Sequence, residues 1–362
     1  MICKICVLDN SIKSLKINNF GICNYCEEFI PIINNKKIEN KNKNFSEFFN
    51  KIKKINSNYN CLIGVSGGVD SSYVVHLAKK ENLRPLLLHF DNGWNSELAV
   101  SNIKKIASKC NFDLETYVVN WFEFKEIQRS FFKAGVIDIE LVTDHAIFAN
   151  LINTAKKKSI KYILSGTNIF TEHAMPPEWM WRKTDFKNIK SIHYNFSDKK
   201  IVTYPHMNFF SYYISKHINF YGVKLLEPLN FINYEKKGAI EILKKEYDWK
   251  EYQDKHFESF FTKFYQAYIL IKKFKVDKRK SHLSCLIRNS ELTREEALNI
   301  LSNNSYPGNL DNDIKYFCKK LDFNMNEFEK IMNEEIVPHN AYDNSEKIFK
   351  FSKKIFNFFK KI

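Results

Sequence analysis

The sequence predicts an α/β protein: a parallel-sheet core, an N-terminal zinc ribbon before it and an α-helical region after it. Three observations carry this expectation. Apolar runs of strand length alternate with helical stretches from residue 61 onward, and such alternation implies a parallel sheet with helices on both faces. Two Cys-x-x-Cys pairs stand near the start, and past residue 231 the apolar spacing is helical. The expected division is 1–32 for the cysteine module, 33–58 for a linker and short helix, 59–230 for the sheet domain and 231–362 for the helical region. At 362 residues, 44% of them hydrophobic, with 32 Phe and 18 Tyr, the chain has ample material for a sizeable core.

Composition narrows the functional class. No run approaches the length of a membrane span, and the first residues are too charged and cysteine-rich to read as a signal peptide. Four of the eight cysteines cluster in pairs and four are scattered, a usage that suits a reducing, cytoplasmic location better than a disulfide framework. The formal charge of +15 invites a nucleic-acid reading. Lysines are spread through the whole chain rather than gathered in a stripe, which argues against nucleic acid as a partner.

Cys3-x-x-Cys6 and Cys23-x-x-Cys26 are separated by sixteen residues, a zinc spacing. Each pair offers two thiolates from a tight turn, and Gly21 suits the turn before the second. Four thiolates leave no open coordination position, so the expected Zn2+ is structural, with an iron–sulfur cluster as the runner-up. The next stretch is poor in apolar residues until Phe45, and reads as a linker leading to a short amphipathic helix with Phe45, Phe48, Phe49 and Ile52.

The most informative segment is Cys61-Leu-Ile-Gly-Val-Ser-Gly-Gly-Val-Asp-Ser-Ser72. A buried strand (Cys61 to Val65) leads through a glycine turn into a helix from Val69. Glycines let the backbone approach a ligand, and the helix start presents unpaired N–H groups to an anion. Ser66, Ser71 and Ser72 add hydroxyls, and Asp70 suits such a place if it holds a metal. A Walker A loop would require Gly-Lys-Ser/Thr, which is absent. Further strands are expected at Pro85–Phe90, Glu115–Val119, Tyr162–Leu164 and Val223–Leu226, with helices at 96–110 and 144–158. Ligands gather at the carboxyl ends of parallel strands. That singles out the glycine turn, His89 to Trp94, and Ser165 to Glu172.

The pattern S-G-G-x-D-S-S resembles the PP-loop of the N-type ATP pyrophosphatases, which split ATP into AMP and pyrophosphate. His89-Phe-Asp-Asn-Gly-Trp-Asn-Ser-Glu97, Ser165-Gly-Thr-Asn-Ile-Phe-Thr-Glu172, Lys278-Arg-Lys-Ser-His-Leu-Ser284 and the cysteine pairs narrow it. Together they resemble the N-acetyl sugar amidotransferases of surface-polysaccharide and flagellar-glycan biosynthesis, along nearly the whole chain. The resemblance implies that an N-acetyl group on a sugar, such as pseudaminic or legionaminic acid, becomes acetamidino through an O-adenylyl imidate. It implies ATP with Mg2+, phosphate contacts from Ser66, Gly67, Gly68, Asp70, Ser71 and Ser72, and adenine near His89, Phe90 and Asp91. Gly166 and Thr167 would lie near the phosphates, and Asn168, Glu172 and His173 near the substrate. Lys278 and Arg279 would neutralise pyrophosphate or a sugar carboxylate, with His282 and Arg288 as weaker candidates. A solvated helix face explains Lys278 and Arg279 equally well. Asp144 reads as a magnesium or substrate contact or as a helix N-cap.

Cys61, Cys110, Cys285 and Cys318 form no Cys-x-x-Cys pair, and no cysteine sits in a glutaminase context. Ammonia is therefore expected from a separate glutaminase, paired in relatives with a partner resembling a cyclase barrel. Met175-Pro-Pro-Glu-Trp-Met-Trp-Arg182 reads as a sugar-facing lid or a packing loop. Phe257, Phe260, Phe261, Phe264, Tyr265 and Tyr268 recur at helical spacing, which reads as core. The basic amphipathic stretch 349–361 suits docking on the protein or a partner better than a membrane surface. Two other functional readings remain: a PP-loop tRNA-modifying enzyme (thiolase or lysidine-type ligase), and a non-catalytic nucleotide-binding scaffold.

Overall fold

Five apolar runs become strands, and the order in which they pair decides where a ligand can bind. The structure, a computed structural model, describes residues 1–41, 45–208, 222–252, 257–303 and 306–359. Strands β1 (Cys61–Val65), β2 (Pro85–Asp91), β3 (Leu114–Val118), β4 (Tyr162–Leu164) and β5 (Lys224–Leu226) form one sheet in the order β3-β2-β1-β4-β5. Every pairing is parallel, from Cys61↔Pro85 to Val65↔His89 between β1 and β2, and at Ile63↔Leu164 between β1 and β4. Cys61, Leu62 and Ile63 are wholly buried, which is why β1 reads as a continuous apolar run rather than an alternation. After β1 the chain builds outward through β2 and β3, then returns to β1's other edge with β4 and β5. The order therefore reverses between β1 and β4, the switch point that opens a crevice at the strands' carboxyl ends.

The helices in chain order are α1 (Asn24–Lys41), α2 (Phe45–Lys53), α3 (Val69–Lys80), α4 (Glu97–Cys110), α5 (Trp121–Lys133), α6 (Leu141–Lys157), α7 (Phe186–Phe196) and α8 (Lys236–Tyr247). Next come α9 (Phe260–Phe264), a π-helical turn at Tyr265–Ile269, and α10 (Leu270–Lys272). The described chain then continues with α11 (Arg279–Arg288), α12 (Arg294–Ser302), α13 (Leu310–Lys320), α14 (Met325–Asn333) and α15 (Glu346–Phe359). Among the described residues no helix is long and apolar enough to cross a membrane.

The chain divides into two compact units. The first comprises Met1–Val118, Leu151–Trp179 and Gly222–Leu310, and holds the sheet and the cysteine module. The second comprises Val119–Asn150, Met180–Tyr221 and Asp311–Ile362 and is helical where described. Each unit draws on three segments, an interleaving that the linear division at residues 32, 58 and 230 does not express.

Local differences have physical causes. The expected linker after residue 33 is helical as far as Lys41. Its polar side chains find backbone partners: Lys37 Nζ donates to the Asn289 carbonyl (2.8 Å), and Asn40 Nδ2 to those of Asn230 and Ile232 (3.1 and 2.8 Å). A search for apolar periodicity does not see such anchors. Asp144 is not an N-cap, because α6 begins at Leu141 and the Asp144 N–H already bonds the Glu140 carbonyl. Of the aromatic stripe, Phe261, Phe264 and Tyr265 are at most 2% exposed, while Phe257, Phe260 and Tyr268 are half-buried. Of the basic C-terminal stretch, Arg182 stacks on Phe349 (3.9 Å) within the second unit, and residues 360 and 361 lie outside the described residues.

Candidate functional site

Two constructions in the first unit carry chemistry: a glycine turn at the switch point and a four-cysteine cluster. The turn follows β1. Gly67 takes φ +83°, and a Cβ there would lie 2.7 Å from the Ala99 carbonyl oxygen, so only glycine fits. Its carbonyl accepts hydrogen bonds from Trp249 Nε1 (3.0 Å) and the Tyr252 hydroxyl (2.9 Å), which fix the turn ahead of α3. Ser66 and Ser71 hydroxyls stand 3.3 Å apart; Ser66 Oγ accepts from the Gly68 N–H (3.2 Å), and Ser71 Oγ donates to the Gly68 carbonyl (3.2 Å). Ser72 is buried in the helix.

Asp70 lies in the first turn of α3, where the helix dipole favours a carboxylate. The Tyr234 hydroxyl donates to Asp70 Oδ1 at 2.5 Å, and burial, then the Asp70 charge, hold that phenol well above its ordinary pKa. Glu258 approaches from far along the chain. Its Oε1 stands 3.2 Å from where a Gly68 Cβ would be. It is held there because residues 258–260 run antiparallel to 94–96: Ser96 N–H donates to the Glu258 carbonyl and Phe260 N–H to that of Trp94, both 2.9 Å.

The strand-end segments are placed as follows. His89 is buried and braces the sheet end, with Nδ1 at 3.1 Å from the Val65 carbonyl and Nε2 at 3.2 Å from Asn95 Nδ2, which makes it an Nδ1–H tautomer. Phe90 stacks on Tyr117, and Asp91 Oδ1 accepts from the Gly93 N–H (2.9 Å). After β4, Gly166 lies flat on the start of α3, where a Cβ would stand 2.8 Å from the Ser71 nitrogen. Thr167 is exposed and its N–H donates to Ser165 Oγ (3.2 Å). Asn168 locks the loop: Oδ1 accepts from the N–H of Phe170 (3.0 Å) and Thr171 (2.8 Å), and Nδ2 donates to the Gly166 carbonyl (3.2 Å). Glu172 is exposed, and His173 is buried against Phe29.

The structure thus brings the glycine turn, Asp70 and Gly166 into direct contact. The basic candidates are placed as follows. Arg279 makes a two-pronged pair with Asp277 (Nε–Oδ1 3.0 Å, Nη2–Oδ2 2.8 Å) and donates to the Asn303 carbonyl (2.7 Å). Lys278 Nζ lies 5.5 Å over the Tyr265 ring, and His282 is half-buried on the same helix. Asp144 belongs to the second unit, where it pairs with Lys183 (2.9 Å), itself held by both oxygens of buried Asp138 (2.9 and 2.7 Å). In the first unit Trp179 is buried and Glu178 accepts from the Ser14 N–H (2.8 Å), so this part of the 175–182 stretch is packing. Tyr234, Trp249, Tyr252 and Glu258 were not foreseen, since each reaches the turn over more than 160 residues without a motif.

The sulfurs of Cys3, Cys6, Cys23 and Cys26 are buried and all lie within 4.8 Å of one another. The separations Cys3–Cys26 (3.9 Å) and Cys6–Cys23 (3.7 Å) match the ~3.8 Å tetrahedral edge that follows from a Zn–S bond near 2.3 Å. Thiolates of a cubane cluster stand farther apart, because each binds a different iron. The four could hold one metal ion, and the donor set fits a single tetrahedral cation. The Cys23 N–H donates to Cys3 Sγ (3.3 Å), and hydrogen bonds from Cys23, then Cys26, lower the Cys6 thiol from its ordinary pKa. Arg288, offered by sequence as an anion contact, instead enters this cluster: Nε is 3.3 Å from Cys26 Sγ and Nη2 is 3.6 Å from Cys6 Sγ.

Residues 258–356 match the family described as LPS biosynthesis protein WbpG-like, C-terminal domain. A curated relative, uncharacterized protein MJ1599 of Methanocaldococcus jannaschii, is 26% identical over 178 residues, 48% of this chain. The chain spans about three-fifths (61%) of that relative's length. Among solved structures, the chain is similar to an NH3-dependent NAD synthetase from Campylobacter jejuni (15% identity, 37% of this chain and 58% of that one, TM-score 0.29). It is also similar to the U34-tRNA thiolase NcsA from Methanococcus maripaludis, solved with its [4Fe-4S] cluster (13%, 84% and 89%, TM-score 0.36). A third is NMN synthetase from Francisella tularensis (12%, 86% and 98%, TM-score 0.34).

Proposed function

We propose that the glycine turn binds ATP, and that the chain spends it to convert the N-acetyl group of a sugar into an acetamidino group. The observation that carries the reading is the placement of Ser-Gly-Gly-Val-Asp-Ser-Ser at the switch point of the sheet, with Gly67 held at positive φ and its carbonyl tied back ahead of α3. The match of residues 258–356 to a lipopolysaccharide-biosynthesis family supports a glycan as the acceptor.

The chemistry follows from the leaving group. An amide oxygen does not leave unaided, so it first attacks the α-phosphorus of ATP. A P–O bond forms, the bridging α–β P–O bond breaks, pyrophosphate leaves, and the amide proton is lost. Ammonia then adds to the imidate carbon and the C–O bond breaks. The original oxygen departs in AMP, and an amidinium remains. The N–H groups of the α3 start, with the Ser66 and Ser71 hydroxyls, bind the phosphate oxygens on which charge develops. Asp70 and Glu258 are oxygen donors of the kind Mg2+ takes beside substrate phosphates; they would hold the ion, which would supply Lewis-acid stabilisation there. The backbone around His89, Phe90 and Asp91 frames adenine. Exposed Glu172, on the loop that Asn168 locks, contacts the sugar. The four cysteines hold a structural Zn2+.

Cys61, Cys110, Cys285 and Cys318 are buried and stand in no glutaminase sequence context. In this reading ammonia comes from a separate glutaminase, with a cyclase-like partner, and the reaction is cytoplasmic. The test combines purified protein, Mg-ATP, ammonium and a panel of N-acetylated nonulosonic acids, read by mass spectrometry. Sugar with oxygen replaced by NH, and AMP formed in step, is the expected result; Asp70→Asn should slow it about a hundredfold. AMP elicited only by tRNA would overturn the sugar reading.

A further inference from the structure

Arg288 is buried and uses three separate nitrogens on three partners. Nε and Nη2 meet the sulfurs of Cys26 and Cys6, while Nη1 lies 3.3 Å from His173 Nε2. A divalent cation with four thiolates is a net dianion, and the guanidinium is its buried counter-charge. Without the loaded site, the same guanidinium would be a buried charge lacking its partner, which is costly.

The far end of this contact is a strained turn. Ala174, next to His173, sits at φ +57°, a left-handed conformation that a residue with a Cβ adopts only when its surroundings impose it. One face of α11 does so. Ser281 Oγ donates to the Ala174 carbonyl (3.4 Å), Cys285 Sγ to the His173 carbonyl (2.9 Å), and Arg288 to the His173 ring. From this turn the Asn168 lock leads back to Gly166, and Gly166 rests on the Ser71 nitrogen at the phosphate-binding helix start. Every member of the series belongs to the first unit.

We propose that Arg288 is a positioning residue through which metal loading of the cysteine site sets the His173–Ala174 turn, and with it the fit of the 165–174 loop on the ATP-binding turn. The inference rests on the ATP reading above. Metal-free protein then lets Arg288 leave, the turn relaxes from its left-handed conformation, and Gly166 loses its seat. The ATP site would be competent only when the cysteine site is filled.

The experiment measures Mg-ATP affinity by calorimetry on Co2+-loaded full-length protein, where the thiolate-to-cobalt absorption reports tetrahedral loading. Arg288→Met and Arg288→Lys are compared with wild type, each checked for loading by that spectrum. Arg288→Met is expected to shift the charge-transfer band and to weaken Mg-ATP about tenfold at full loading, with Arg288→Lys weakened less because the charge remains. Ala174→Gly added to Arg288→Met should restore most of the affinity, because glycine holds positive φ without strain; a merely structural loss would not recover. Unchanged ATP affinity in loaded Arg288→Met, or no recovery with Ala174→Gly, overturns the proposal. Wild type that binds no Mg-ATP overturns the ATP reading itself, before any variant is compared.

Discussion

The cysteine cluster and the glycine turn sit in the same unit, yet they are built on opposite principles. At the cluster every donor points inward, the four sulfurs are buried, and the spacing suits one permanent ion. At the turn the backbone carbonyl is tied back, Ser66 is exposed and the first residues of α3 are half-buried. The difference is the one expected between a site that keeps its ligand for the life of the fold and, in the proposed function, one that binds, reacts and releases. It also explains the neighbours each recruits: a buried guanidinium against the thiolates, and a phenol and carboxylates around the turn.

The comparison breaks most readily at the cysteines. Structural zinc contributes on the order of 10 kcal/mol to small modules. Cys23→Ser, or removal of the ion by a chelator, should therefore give the largest loss of stability, seen as a lower Tm and loss of bound metal. A Tm that stays put after the metal is shown to be gone would end the structural reading. At the turn the penalty should fall on binding. Gly67→Ala forces a side chain into positive φ and onto the Ala99 carbonyl at 2.7 Å. Strain alone should weaken Mg-ATP about tenfold, with the overlap adding to it. Equal affinity in wild type and variant would show that the turn is only a turn.

Smaller changes sharpen the contrast. Gly166→Ala overlaps the start of α3 at 2.8 Å, and should raise the Kd for Mg-ATP several-fold with metal content unchanged. A drop in metal content without a change in Kd would reverse the assignment. Tyr234→Phe removes the donor to Asp70, a buried charge-assisted bond worth about 1–3 kcal/mol. The expected signature is a modest fall in Tm with a larger Mg2+ requirement; an unchanged Mg2+ requirement would make Tyr234 a packing residue only.

What the sequence disclosed follows from how local each feature is. The strand–turn–helix at 61–80 and the cysteine pairs are short-range patterns, and the elements they predict lie where expected. The parallel sheet was readable from alternation, although its β3-β2-β1-β4-β5 order required the structure. Tyr234, Trp249, Tyr252 and Glu258 complete the turn from residues distant in sequence, as unremarkable aromatics and a glutamate. Arg288 stood out by charge, but only packing shows it facing sulfur rather than phosphate. The helix through Lys41 was illegible because its anchors are amide and ammonium contacts to backbone, which leave no periodicity.

The central claim is that the oxygen of an N-acetyl group is transferred to the α-phosphorus of ATP. The most direct measurement supplies nonulosonic acids carrying 18O in the acetyl carbonyl, with Mg-ATP and ammonium, and weighs the AMP produced. The account predicts one 18O in each AMP formed with amidine. AMP free of label while the sugar gains nitrogen would contradict it.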